Sequence, residues 1–166
     1  MVQTFGTDFQ DIKVERGMYN KTIFFYDLRK PFEQFSNFYL RDLEIDGKVW
    51  PSSEHYFQAM KFTDPAKVEE IRKVKKAREA FDLAHNYSSF VRKDWAQVKD
   101  DVMRTAIRNK FSQNEDFKIL LLGTGMSDLV EHTSNDHYWG DGGDGSGKNM
   151  LGKILAEIRE ELKQEA

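Results

Sequence analysis

The groups of this 166-residue chain best suited to chemistry are two carboxylates set among aromatic rings, and one glycine-rich turn. Glu54 stands in Ser53-Glu54-His55-Tyr56-Phe57-Gln58-Ala59-Met60-Lys61-Phe62. Glu54, Gln58 and Lys61 fall at i, i+4 and i+7, a single polar stripe if the segment is helical. A solvated helix face has the same spacing, so position has to add to it. In a first helical turn, the dipole favours an ionised carboxylate. Such a group stabilises a developing cation or orients a water, and Lys61, two turns on, can hold an anionic part of the same ligand. Asp136 stands in Asn135-Asp136-His137-Tyr138-Trp139. Asp is common in turns and tryptophan in cores, but this tryptophan directly precedes a run of glycines. Stacking of a base on such a ring is worth roughly 1–3 kcal/mol. Trp95 and Phe35 are weaker ring candidates, and Trp50 reads as core.

Six of the eleven glycines lie between Gly140 and Gly152, a concentration that asks for a particular backbone shape. A glycine-rich turn that opens a helix can offer unpaired N–H groups to a phosphate. Gly142, Gly147 and Lys148 match the spacing of a triphosphate-binding loop. Asn149, however, stands where the magnesium-binding Ser or Thr belongs, and no apolar strand precedes the turn. Asp136, Asp141 and Asp144 miss the alternation of a calcium loop. His55, His85, His132 and His137 show no metal-ligand spacing and cysteine is absent, so neither a metal nor another cofactor is expected. No Ser-His-Asp set can be argued from spacing, because triad members meet only in the fold.

These groups need elements to position them. Ile23-Phe24-Phe25 reads as a strand, and Leu43 to Val49 as a hairpin turning at Asp46-Gly47. A helix is expected from Ser53 to Phe62, with Pro51 outside it and a serine as cap. Asp64-Pro65 opens a second helix carrying Val68, Ile71, Val74 and Leu83. Its basic run, Arg72 to Arg78, is interleaved with Glu69, Glu70 and Glu79, which suits a solvated face better than a nucleic-acid surface. Asp94 is expected to cap a third helix bearing Trp95, Val98, Val102, Met103, Ala106 and Ile107, and Asn114 a fourth ending near Gly123. Leu129-Val130 reads as a short strand. The last helix, from about Asn149, presents Leu151, Ile154, Leu155, Ile158 and Leu162 on one side. The fold class is therefore α+β: a mostly helical single domain with a small antiparallel sheet. Residues 1–22 read as a peripheral lead-in and 23–166 as the domain.

The length suits one domain with a real core. A net charge of −3 gives no global attraction to nucleic acid or anionic membranes, so an anionic ligand must be held locally. No apolar run reaches membrane length and no signal-peptide layout opens the chain; a cytoplasmic protein is expected.

Several blocks in one order resemble a known family. They are Phe35-Ser36-Asn37-Phe38-Tyr39, Gly47 with Trp50 to Phe62, Arg92-Lys93-Asp94-Trp95, Met103, Lys110-Phe111, Leu121 to Gly125, Leu129-Val130-Glu131, Asp136 to Gly140, and Gly145 to Gly152, closing with Ile158-Arg159. On these the chain is identified as a member of the NADAR family of YbiA-like N-glycosidases, a resemblance spanning nearly everything after Thr22. It implies hydrolysis of an N-glycosidic bond between a base and a phosphorylated ribose. Two substrate classes come with it: riboflavin-pathway ribosylamine phosphates, and ADP-ribose attached to guanine, free or within nucleic acid. It also implies Glu54 and Asp136 as the acidic pair and Lys61 with the Gly145–Asn149 turn as anion contacts. Trp139, Gly140, Gly147, Lys148, Asn149, Trp95, Phe35 and Asn37 complete the implied substrate-binding set. The physical reading agrees: cleavage builds positive charge on the ribose, which a carboxylate stabilises. A non-catalytic ADP-ribose or nucleotide-binding module is the alternative, although two acids do little for a binder of anions.

Overall fold

A computed structural model describes residues 21–166, so the expected lead-in falls almost entirely outside the described residues. The described chain runs β1 (Ile23–Phe25), β2 (Leu43–Ile45), β3 (Lys48–Trp50), α1 (Ser53–Ala59), α2 (Pro65–Lys73), α3 (Ala77–Asn86), α4 (Trp95–Gln113), α5 (Glu115–Gly123), β4 (Leu129–Glu131) and α6 (Met150–Gln164). It is α+β and mostly helical. The antiparallel hairpin forms as expected, with Leu43 opposite Trp50 and Ile45 opposite Lys48. Its turn residues, Asp46 and Gly47, have φ of 53° and 76°. Two successive left-handed residues match the right-handed twist of the strands, and Asp-Gly tolerates them. The second sheet was not anticipated: β1 pairs in parallel with β4, Phe25 opposite Glu131.

Two cores flank α1, whose seven residues are all buried. Phe57 faces a core built from β1, β4, α4, α5 and α6, including Phe35, Phe111, Leu151 and Ile158. Tyr56 and Ala59 face another built from the hairpin, α2 and α3. The apolar face read for the last helix is the one buried. Burial on two opposed sides makes α1 a rigid central pin, and its polar residues inherit fixed positions.

Three local expectations are corrected. The second helix is two helices, broken at the extended Val74. The Val74 carbonyl accepts a bond from the buried His55 ring at 3.0 Å, and the Glu79 carboxylate caps the N–H groups of Lys75 and Lys76. Tertiary partners thus replace helix bonds where the sequence carries no Gly or Pro. Asp94 precedes α4 without capping it, because its carboxylate is paired with Arg92 at 2.6 and 2.8 Å. Asn114 precedes α5 likewise, its amide donating to the Lys110 and Asp42 carbonyls. α1 itself ends at Ala59, which leaves Lys61 just past its C-terminus. Among the described residues, no helix is long and apolar enough to cross a membrane.

Candidate active site

Glu54 and Asp136, far apart in sequence, line one cavity of about 570 Å³. α1 supplies Glu54, Phe57 and Gln58, with Lys61 just beyond it. The loop before the hairpin supplies Asn37 and Phe38, and α3 supplies Arg78 and Phe81. Glu131, Asp136 and Trp139 come from the end of β4 and the turn after it. The parallel β1–β4 pair therefore does chemical service, because β4 carries the second wall to the first.

Glu54 is only 5% exposed, and its Oε1 accepts a 2.6 Å bond from the Gln58 amide. Its backbone N–H donates to the Asn37 carbonyl at 3.2 Å. The Asn37 side chain is fixed in turn by the Ser53 hydroxyl, which donates to Oδ1 at 2.7 Å. The loop holding Asn37 is anchored from behind. Lys110, completely buried, donates to the Ser36 carbonyl at 2.8 Å. Burial, and then the charge of Arg41, lowers the Lys110 ammonium to about 7.

The expectation that a helix dipole keeps Glu54 ionised is corrected. Burial raises its carboxyl from 4.5 to about 7, and Asp136 adds to the rise, against the Gln58 bond and the charge of Lys61. Desolvation outweighs both of those stabilising contacts. Lys61 shows the complementary shift: burial lowers its ammonium, and Glu54 opposes that. Its Nζ lies 5.6 Å from the centre of the Phe57 ring and 6.0 Å from that of Trp95.

Asp136 is a turn residue and a cavity residue at once. Its Oδ1 accepts from the N–H groups of Tyr138 (2.8 Å) and Trp139 (2.7 Å). Trp139 likewise combines two roles: it lines the cavity and packs edge-to-face on Phe57 at 5.3 Å. Trp95 packs tilted against Phe57, 5.1 Å between ring centres, and does not itself line the cavity. Phe35 is wholly buried between Phe25 and Phe111, so it is core rather than a substrate contact.

The glycine turn is not brought to this cavity. Gly147, Lys148 and Asn149 line a separate hollow of about 460 Å³ beside β4 and α6. Nor does the turn form an anion nest. The N–H groups of Gly142, Gly147, Lys148 and Asn149 donate to the carbonyls of Asp136, Asp141, His137 and Gly140. Those of Met150 and Leu151, which open α6, donate to Tyr138 and Trp139. Those six N–H groups are spent on folding the turn onto itself and are not offered to a phosphate. The glycines serve close approach instead: a Cβ on Gly147 would sit 2.5 Å from the Gly140 carbonyl oxygen, and one on Gly140 2.8 Å from Thr133. Asn149 acts as a bracket on β4. Its amide donates to the Leu129 carbonyl at 2.8 Å, and its Oδ1 accepts from the Glu131 N–H at 3.0 Å.

The sequence-based site set omitted Glu131. This carboxyl lines the cavity and is pushed up to about 8, by burial first and then by the charges of Asp136, Glu54 and Asp141. An acid ending an apolar strand was the available signal, and without the β1–β4 pairing nothing said which way it faced. Arg78, Phe81 and Phe38 were omitted too; two rings 6.3 Å apart and a guanidinium stand at the cavity's α3 side. Among the described residues, no three His, Asp or Glu side chains lie together as a metal-ligand set.

The family described as NADAR domain matches residues 24–163, and the chain belongs to that family. It is 48% identical over 150 residues to the N-glycosidase YbiA of Shigella flexneri, covering 90% of this chain and 94% of that one. It is 41% identical over 153 residues to the riboflavin biosynthesis protein VVA0006 of Vibrio vulnificus, covering 92% of this chain and 42% of that longer protein. The NMR structure of Escherichia coli YbiA superimposes with a TM-score of 0.82 at 49% identity, over 88% of this chain and 87% of the other.

Proposed function

We propose that this chain is an N-glycosidase that hydrolyses the bond between a base and a ribose bearing phosphate. The observation that carries the reading is Glu54: a buried carboxyl poised near neutral pH in an aromatic-walled cavity that Asp136 also lines. Such a pair suits a reaction in which the C1′–N bond breaks as water forms a C1′–O bond. The ribose passes through a cationic state, which an adjacent carboxylate stabilises while it takes the water's proton. A dry site strengthens that interaction, and desolvation brings the group's pKa near the working pH.

The same geometry reassigns substrate binding. Lys61 and Arg78 are the cationic side chains lining the cavity, so the phosphate is held by them rather than by the glycine turn. Trp139, Phe38 and Phe81 offer ring faces to the base. A volume of about 570 Å³ suits a ligand of nucleotide size. The riboflavin-related names among the relatives favour a ribosylamine phosphate of that pathway over guanine-linked ADP-ribose. A cytoplasmic location goes with this reading, since such phosphorylated ribosides do not cross membranes unaided.

The test is to incubate the protein separately with a ribosylamine 5-phosphate of the pyrimidine series and with ADP-ribosylated guanine, and to follow free base and reducing sugar phosphate. Release from the first with little from the second supports the reading. Tight binding of either without release returns the chain to the class of nucleotide-binding modules.

A further inference from the structure

Hydrolysis of an N-glycoside needs an acid as well as a carboxylate, because most bases leave as anions too unstable to depart unprotonated. Three carboxyl groups line this cavity, from α1 (Glu54), from the end of β4 (Glu131) and from the turn beyond it (Asp136). Like charges in one desolvated space cannot all ionise together near neutral pH. Hydrogen-bond donors and cations decide which of them keeps the proton.

Asp136 accepts from two backbone N–H groups, and Glu54 accepts from the Gln58 amide with the Lys61 charge beside it. Asp141, facing Glu131 from the glycine turn, accepts from the His132 ring at 2.7 Å and from the N–H groups of Thr133 and Gly143. Each of those three carboxyl groups thus has a donor. The Glu131 carboxyl has no such donor among the described residues. The neighbouring His132 is turned to Asp141, and the strand partner of Glu131 is the apolar Phe25. Lys61, just past α1, and Arg78, on α3, are the cations of the cavity, and neither is among the charges acting on Glu131. The backbone of Glu131 is meanwhile rigidly held. Its N–H donates to Asn149 Oδ1, and its carbonyl accepts from the Asp141 N–H at 2.9 Å.

We infer that Glu131 is the general acid of this site, giving its proton to the departing base nitrogen; the inference rests on the N-glycosidase reading. The step balances. As C1′–N breaks, the bonding pair goes to nitrogen and the Glu131 proton follows it. Water attacks C1′ and its proton passes to the Glu54 carboxylate. One water is consumed, and exchange with solvent takes the proton from Glu54 and returns one to Glu131, so both groups regain their starting forms. Asn149 becomes a positioning residue, acting through the strand that aims Glu131. Burial, and then the charges of Asp136, Glu54 and Asp141, push Glu131 up to about 8, above Glu54 at about 7, which favours Glu131 as the group that keeps the proton.

The experiment measures kcat/KM from pH 5.5 to 9.5 on whichever ribosylamine phosphate the wild type cleaves, for wild type, Glu131→Gln and Glu131→Asp, with melting temperature as a fold control. The expected wild-type profile is a bell that falls above about pH 8. Glu131→Gln loses at least about a hundredfold at pH 7.5 and its residual rate no longer falls on the alkaline side. Glu131→Asp, which keeps an acid set back by one methylene, is slower but retains an alkaline limb. Glu131→Gln within threefold of wild type, or one whose residual rate keeps the wild-type alkaline limb, overturns the assignment. If Glu131→Gln does not fold, Glu131→Asp decides alone: full activity with an unshifted profile overturns it. A wild type that releases no base from any riboside fails the hydrolase reading instead, a result separable from all of these.

Discussion

Replacing Glu54 by glutamine should cost activity and, above neutral pH, add stability. The substitution removes a charge, keeps the side chain's volume, and leaves an oxygen to accept from Gln58. Loss of the carboxylate that meets the ribosyl cation should lower kcat by at least about a hundredfold. The stability term follows from burial. The folded protein holds the Glu54 carboxyl at about 7, against 4.5 for an ordinary glutamate. Between those values the unfolded chain has released a proton that the folded chain keeps, so stability falls as pH rises through that window and levels off beyond about 7. At about 1.4 kcal/mol per pH unit over the rise from 4.5 to about 7, the loss complete by pH 8.5 has an upper bound of about 3.5 kcal/mol. Glutamine escapes it, less whatever the attraction to Lys61 had contributed. For a chain of this size the gain corresponds to a melting point roughly 4–10 °C above wild type at pH 8.5. Near pH 4.5 the difference should vanish. Thermal melts of both proteins at the two pH values, beside base-release assays, test this directly. A variant that melts at or below wild type at pH 8.5, or shows the same gap at both pH values, would refute the claim that Glu54 is buried at an energetic cost for function.

Other consequences separate the cavity from the glycine turn. Lys61→Met should raise KM for a phosphorylated substrate at least tenfold, whereas Lys148→Ala should leave KM within twofold, since Lys148 lines the other hollow; steady-state kinetics on both variants reads the contrast. Trp139→Phe should remain folded, because a ring is kept against Phe57, yet weaken binding of the base-bearing substrate more than that of ribose 5-phosphate, by up to about 1–3 kcal/mol in calorimetric titration. Gly152→Ala should melt far below wild type or fail to fold, as its Cβ would fall 1.9 Å from the Leu129 carbonyl oxygen. Exhaustive chelation should leave base release unchanged; loss restored by a divalent ion would contradict a metal-free mechanism.

What the sequence disclosed follows from how local each signal is. The hairpin turn at Asp46-Gly47, the Asp64-Pro65 start and the apolar face of α6 are set by neighbouring residues, and they stand in the structure as read. Glu54, Asp136, Lys61, Trp139 and Asn37 do line one cavity. Where a distant partner decides, local reading went astray. Nothing near Val74 announces that His55 will take its carbonyl, and nothing near Glu54 announces that two cores will close over its helix. The glycine turn misled for a related reason. Its composition allows a phosphate nest, but the N–H groups of Gly147, Lys148 and Asn149 are taken by the carbonyls of Asp141, His137 and Gly140, which only the folded turn reveals. Glu131 stayed hidden because a three-residue strand has no orientation until its parallel partner is known.

The central claim is that a carboxylate in this cavity hydrolyses an N-glycosidic bond, and product analysis on one riboside tests it most directly. Wild-type protein and Glu54→Gln are each incubated at pH 7.5 in oxygen-18 water with a ribosylamine 5-phosphate, and base and sugar phosphate are followed by mass spectrometry. The account predicts free base and ribose 5-phosphate, made with the wild type and at a rate at least about a hundredfold lower with the variant. Label at C1 must be read in quenched early time points, before ring opening exchanges it with solvent. Equal release by the two proteins, or binding of the riboside with no release by either, would contradict it.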